Sequence, residues 1–280
     1  MTIPLRGPAA FLFLALLAVL IPGSVAAGGA SPWIQGHHSR VRLMDGGARL
    51  AGIEIVLDTG FKTYWRTPGE SGLPPAFDWA GSDNLAGAEV LWPAPQRLED
   101  AGGVSYGYKD HVLLPVRVIP KESGKPVRLS LRLDYGVCKD ICIPAQARLA
   151  LDLEPGGGAL RPAISEALAR VPKPQPLGAP GDLSVLAVAP ATAGGKPALA
   201  VEVAAPPGAD LFVEGPDGWY LGAGPMRALP GAGKETGQFL VEIFERPRSA
   251  AGPLGLRFTL VSGERAVETA ASLDIASLPR

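Results

Sequence analysis

Cysteine, histidine and methionine are scarce in this chain of 280 residues: two, three and three. Two cysteines cannot form a disulfide scaffold in a chain of this length, so any bridge between them acts locally. Charge is also sparse, at 19% of residues, and 26 Lys plus Arg balance 27 Asp plus Glu. That balance excludes a surface that works by bulk charge, and no nucleic-acid partner is expected. Beyond the N-terminal segment no apolar run approaches a membrane span. Glycine (36) and proline (29) are abundant beside 47% apolar residues. Each of the two costs about 1 to 3 kcal/mol in a helix interior, which disfavours a helical bundle. Short strands joined by tight turns fit better.

Residues 1–27 hold Arg6, the apolar run Phe11 to Ile21, then Pro22-Gly23-Ser24 and the small residues Val25-Ala26-Ala27. This is the layout of a secretory signal peptide cleaved after Ala26 or Ala27. The apolar run would make only about 16 Å of helix against a hydrocarbon core of about 30 Å, too short for an anchor. The mature protein is therefore expected to be exported and soluble, in an oxidising compartment where a close cysteine pair can be bonded.

From about residue 40 the apolar pattern has period two. Val127, Leu129, Leu131, Leu133 and Tyr135 alternate with Arg128, Ser130, Arg132 and Asp134, so one face is core and the other wet. Ile53 to Leu57, Val112 to Val118 and Leu149 to Leu153 repeat the pattern, with Gly, Pro, Asp and Ser turn clusters between them. The expected fold class is all-β, a sandwich over residues 28–158. A short helix is predicted over Pro162 to Val171, with Ile164, Leu168 and Val171 on its apolar face. Pro172-Lys173-Pro174-Gln175-Pro176 follows as a stiff extended linker, and 159–180 is taken as the boundary segment. Six further strand patterns between Leu183 and Leu273 predict a second, smaller β-sandwich over 181–280.

Most catalytic signatures fail on spacing. Gly231-Ala232-Gly233-Lys234-Glu235 resembles the end of a phosphate loop, but Ala228 and Glu235 stand where Gly and Ser or Thr are required, so it is expected to be a hairpin turn. No Glu follows His37, His38 or His111 at zinc-protease spacing, and the first two are expected in a solvated, partly ordered segment. No metal or other cofactor is expected. What remains is Cys138-Lys139-Asp140-Ile141-Cys142. Fully extended, these residues would hold the two Cα atoms about 13 Å apart, whereas a disulfide needs about 4.4 to 6.8 Å. A turn at Lys139-Asp140 is required, capping a hairpin made by Val127–Tyr135 and Ala147–Leu153. As a staple the placement is poor: closing a five-residue loop is worth about 2 kcal/mol. Spacing alone leaves a structural and a redox role open.

The stretch Asp134-Tyr135-Gly136-Val137-Cys138-Lys139-Asp140-Ile141-Cys142-Ile143-Pro144-Ala145 resembles the cysteine segment of the N-terminal periplasmic domain of the thiol:disulfide interchange protein DsbD and its ScsB-like relatives. Upstream, Tyr64-Trp65-Arg66-Thr67-Pro68-Gly69-Glu70-Ser71-Gly72-Leu73-Pro74-Pro75, Phe77-Asp78-Trp79, Leu91-Trp92-Pro93-Ala94-Pro95 and Gly107-Tyr108-Lys109-Asp110 are similar to that family in the same order. The likeness spans about residues 35 to 155. It implies an immunoglobulin-like sandwich whose catalytic residues are Cys142, the exchanging thiol, and Cys138, its resolving partner. It also implies a periplasmic location and two partners: a membrane disulfide-reductase as electron donor and a periplasmic thioredoxin-fold protein as acceptor. Enteric members shield the pair with an aromatic on a loop. Here Glu99 to Ser105 carries none, which leaves Tyr106 or Tyr108 to serve. Trp65, Trp79 and Trp92 are expected in the core.

The function expected is thiol-disulfide exchange, a protein-disulfide reductase type of oxidoreductase. The alternatives are an immunoglobulin-like interaction module with an inert disulfide, and a copper-handling protein, because a reduced cysteine pair is a soft ligand set suited to Cu(I).

Overall fold

The computed structural model describes residues 29–278 except 48, 70–71, 101–102 and 230–234. The signal sequence expected at 1–27 and the turn expected at 231–234 lie outside the described residues. Eleven strands come first: β1 (Ile34–Gly36), β2 (Ser39–Asp45), β3 (Leu50–Leu57), β4 (Lys62–Gly69), β5 (Ala76–Asp78), β6 (Leu85–Val90), β7 (Gln96–Asp100), β8 (Gly103–Lys109), β9 (His111–Pro120), β10 (Val127–Cys138) and β11 (Cys142–Leu153). They form two antiparallel sheets, ordered β1-β2-β3-β9-β6 and β11-β10-β4-β8-β7, with β5 also paired to β10. Val41, Ile53, Ile55 and Leu114 from one sheet meet Trp65, Leu129, Leu131 and Leu133 from the other in a single core. The alternation along β10 is the cause, since every second residue from Val127 is sealed from water and worth about 1.5 to 3 kcal/mol when fully buried.

Helix α1 (Arg161–Ala169) follows, with proline at its start and no side-chain cap. It buries Ile164 and Ala167 beside Met44 and Leu113. Leu168, also expected on the apolar face, lies in the last turn and is half-buried, but Val171 falls beyond the helix, which stops at Ala169. Pro172 disfavours helical backbone at Val171, and the Arg170 N–H closes the end on Ala167 O.

The remaining strands are β12 (Lys173–Pro174), β13 (Ser184–Ala193), β14 (Lys196–Ala204), β15 (Asp210–Glu214), β16 (Tyr220–Ala223), β17 (Arg227–Ala228), β18 (Thr236–Glu245), β19 (Pro253–Ser262) and β20 (Arg265–Asp274). They form sheets ordered β12-β20-β19-β15 and β13-β14-β18-β16, with β17 on β18. A second core, with Val201, Leu211, Phe239 and Phe258, lies between them. The proline-rich stretch is extended and lies on an edge, where a missing N–H is tolerated. Lys173–Pro174 runs parallel to β20, and Gln175 N–H donates to Glu268 O at 2.8 Å. All other strand pairs are antiparallel.

Candidate redox site

Cys138 and Cys142 end β10 and begin β11, directly opposite each other in the ladder, and are joined as a disulfide with Cα atoms 4.2 Å apart. The hairpin is longer than its apolar alternation suggests: pairing continues through Gly136↔Pro144 and Val137↔Ile143, and only Lys139, Asp140 and Ile141 turn. The two sulfurs sit in different surroundings. Cys138 is 1% exposed, whereas Cys142 is exposed. Ile141, at the tip, is 72% exposed.

On the other side of Cys138 lies β4, which pairs with β10 at one register position, Cys138↔Lys62. Residues opposite one another share a face of the sheet, so Lys62, Cys138 and Cys142 form a row. Lys62 is 6% exposed and its ammonium donates to Ser105 Oγ at 2.8 Å. Antiparallel pairing places Tyr64 beside Gly136 on that same face. The phenol reaches past the glycine to the bridge: its oxygen lies 2.7 Å from Cys138 Sγ, to which it donates, and 2.8 Å from Cys142 Sγ. Two glycines make room. A Cβ on Gly136 would come within 3.0 Å of the Tyr64 ring, and one on Gly72 within 2.6 Å, so substitution at either would push the phenol from the sulfurs. Lys62 Nζ stands 5.7 Å from the centre of the ring, a cation over a π face. Thr63 Oγ1 donates to Gly136 O at 2.9 Å and ties β4 to β10.

The shielding aromatic is therefore Tyr64, and neither tyrosine expected from the sequence serves. The Tyr106 ring packs edge-on against Phe212, with centroids 5.0 Å apart. The Tyr108 hydroxyl donates to Pro93 O at 2.8 Å. Burial pushes the Tyr108 phenol well above its ordinary pKa, against a smaller downward pull from Arg66. Tyr64 stood in the motif that carries the resemblance, but nothing in the sequence places its ring on the cysteines. Lys62 carried no signal at all.

Around the bridge apolar side chains are exposed beside Asp134, Gln146, Lys139 and Asp140. Leu73, Pro74, Pro144 and Ala145 line a shallow recess of about 340 Å³, and Leu73 is 40% exposed. Lys139 extends over the Phe61 ring, 5.7 Å from its centre. His37 and His38 form the β1–β2 turn. His38 is ordered by its neighbours: it stacks on Phe61 at 4.2 Å, and its Nδ1 lies 2.6 Å from Asp58. Trp65 is wholly buried, and Trp79 and Trp92 pack against the first core.

Chemically, the arrangement pairs a reachable sulfur with a sealed one and sets one hydroxyl within hydrogen-bond distance of both. A thiolate released at either sulfur would meet the phenol O–H, and a charge-assisted hydrogen bond is about twice as strong as a neutral one. Residues 33–154 match the family model described as "Thiol:disulfide interchange protein DsbD, N-terminal". That match spans the first sandwich, cysteine hairpin included. The chain as a whole is similar in fold to the crystal structure of the N-terminal periplasmic domain of ScsB from Proteus mirabilis, at 21% identity and a TM-score of 0.67. That likeness covers 89% of this chain and 99% of the other. No curated protein matches the chain. The all-β, immunoglobulin-like architecture expected from the sequence is thus the one observed. No helix among the described residues is long and apolar enough to cross a membrane.

Proposed function

We propose that the chain is a periplasmic thiol-disulfide exchange protein of the disulfide-reductase type, in which Cys142 is the exchanging thiol and Cys138 the resolving one. The observation that carries this is the asymmetry of the bridge: Cys142 is exposed at a hairpin tip, Cys138 is sealed, and Tyr64 donates toward the sulfurs. An incoming thiolate can reach Cys142 Sγ, and Cys138 then leaves as a thiolate beside the Tyr64 O–H and the row neighbour Lys62. In the forward direction the Cys142 thiolate attacks the disulfide of the acceptor and Cys138 attacks the resulting mixed disulfide. The bridge re-forms and the acceptor's two sulfurs carry away the electron pair. Exposed Ile141, Leu73 and the recess beside Pro144 offer an apolar surface for the acceptor to approach. We assign the acceptor role to a periplasmic thioredoxin-fold protein and the donor role to a membrane disulfide reductase. In this assignment residues 28–158 are the redox domain, 159–180 the connection and 181–280 a second sandwich, after removal of 1–27.

Trapping tests the two thiol roles. Cys138→Ala should accumulate a reductant-sensitive adduct with a thioredoxin-fold periplasmic protein or a membrane reductase, because its Cys142 mixed disulfide cannot be resolved. Cys142→Ala should not. Equal trapping of one partner by both variants would overturn the assignment of roles; no adduct from either would overturn the exchange function.

A further inference from the structure

Strand β4 leaves its sheet immediately after the tyrosine that touches the sulfurs. It pairs with β8 at Lys62↔Lys109, Thr63↔Tyr108 and Tyr64↔Gly107, then not again until Gly69↔Ser105. Trp65, Arg66 and Thr67 lie in this interval, and the second sandwich holds all three. Phe212 of β15 enters the core of the first sandwich, edge-on to Trp65 with centroids 5.8 Å apart. Arg66 donates through Nε and Nη2 to the two oxygens of Glu214 at 2.9 and 2.6 Å, and again through Nη2 to Glu268 of β20. Thr67 Oγ1 donates to Glu214 at 2.8 Å. Burial works against the charge of Arg66, but the bonds and charges of the two carboxylates outweigh it and hold the guanidinium above its ordinary pKa. Arg97 of β7 adds a second tie, to Asp210 at 3.2 Å and Ala223 O at 2.8 Å.

We propose that the second sandwich is a positioning element for the redox pair: Phe212 and Glu214 hold the unpaired stretch of β4, and so keep the Tyr64 hydroxyl on Cys138 and Cys142. The ladder alone does not hold this strand, since β4 meets β10 at a single register position and β8 at three before the break. A bidentate, partly buried Arg–carboxylate pair fixes direction as well as distance. Removing Glu214 takes away both oxygens of the bidentate pair and the acceptor of Thr67, and leaves Arg66 on Glu268 alone, so the stretch should reorganise rather than stay in place. The inference rests on the exchange function proposed above and gives the second sandwich a role in it.

The step to measure is the protein disulfide plus two glutathione thiols giving two protein thiols plus glutathione disulfide. Tyr64 in place stabilises the reduced pair, because its O–H bonds a thiolate more strongly than a bridged sulfur. The full chain, Glu214→Ala, Tyr64→Phe and the double variant are equilibrated with glutathione buffers, and protein thiols are counted after alkylation. Glu214→Ala should shift the equilibrium toward the disulfide by about fivefold, Tyr64→Phe by at least as much, and the double variant no further than Tyr64→Phe. Should Glu214→Ala fail to fold, Glu214→Gln, which keeps an acceptor and loses the charge, should give a smaller shift of the same sign, again absent in the Tyr64→Phe background. A Glu214 effect that persists undiminished in that background, or one seen only as a lower melting temperature, overturns the inference while leaving the exchange function intact. A parent chain that does not equilibrate at all overturns the exchange function, and this inference with it.

Discussion

The hairpins β10–β11 and β19–β20 are built alike and finished differently. One has strands of twelve residues and closes through Lys139, Asp140 and Ile141 with a disulfide at its mouth. The other has strands of ten and closes through Gly263, at φ +60°, and Glu264, with Ser262 opposite Arg265. The second shows that cross-strand pairing, one apolar face and a glycine in the left-handed region are enough to close a hairpin of this length. The first turn, Lys139-Asp140-Ile141, has no such glycine, and its long ladder is expected to keep it closed without the bridge. Its neighbours point the same way: Gly136 and Gly72 give up side chains so that Tyr64 can reach the sulfurs, and a lysine is buried opposite Cys138. Around the second turn the charges remain in water, as in Arg265 with Asp182 at 2.8 Å.

Removing the bridge should show the largest difference in stability between the two. Cys138→Ala with Cys142→Ala is expected to cost about 2 kcal/mol in urea unfolding, the entropy of a five-residue loop, with β10 and β11 still paired. Loss of the β spectrum in that variant would mean that the first hairpin, unlike the second, depends on its covalent closure.

A smaller contrast separates the sandwiches at high pH. The Tyr108 phenol is held well above its ordinary pKa by burial, so its folded pKa exceeds its unfolded value. Its contribution is complete below the unfolded value of about 10 and is lost as pH rises from there toward the folded value. Tyr108→Phe should lose about 1 kcal/mol at pH 7 with the bond to Pro93, and its stability should fall less steeply than the parent's above about pH 10. Parallel alkaline limbs in urea midpoints would contradict this.

The smallest effect belongs to the second hairpin. Arg265 lowers the pKa of Asp182 by hydrogen bond and charge, so this pair stabilises above the ordinary carboxylate range and is lost as pH falls through the lowered value. Both groups are exposed, and Asp182→Asn should move the melting midpoint by no more than about 1 °C at pH 7.

Much of this was legible in the sequence for a local reason. The alternation from Val127 to Leu133 is visible because one face of β10 is core and the other is wet, and the cysteine spacing announces a turn by chain length alone. The reach of β10 to Cys138 was not legible, since Gly136 and Pro144 resemble turn residues when their partners across the ladder are unknown. Short β16, of four residues, is too brief to show a period. Tyr64 and Lys62 stand 74 and 76 residues before Cys138, and only the β4–β10 pairing brings them to it. Arg66 is further still from its partner, 148 residues from Glu214, and a lone arginine in a loop motif gives no hint of a carboxylate on another sandwich.

A working Cys138–Cys142 bridge must open in native buffer while the chain stays folded. With unfolding followed in the same sample, the pair should equilibrate with glutathione while the fold persists, at a potential above about −300 mV. A bridge that resists glutathione and dithiothreitol until the chain unfolds would be a staple, and the exchange function would be wrong.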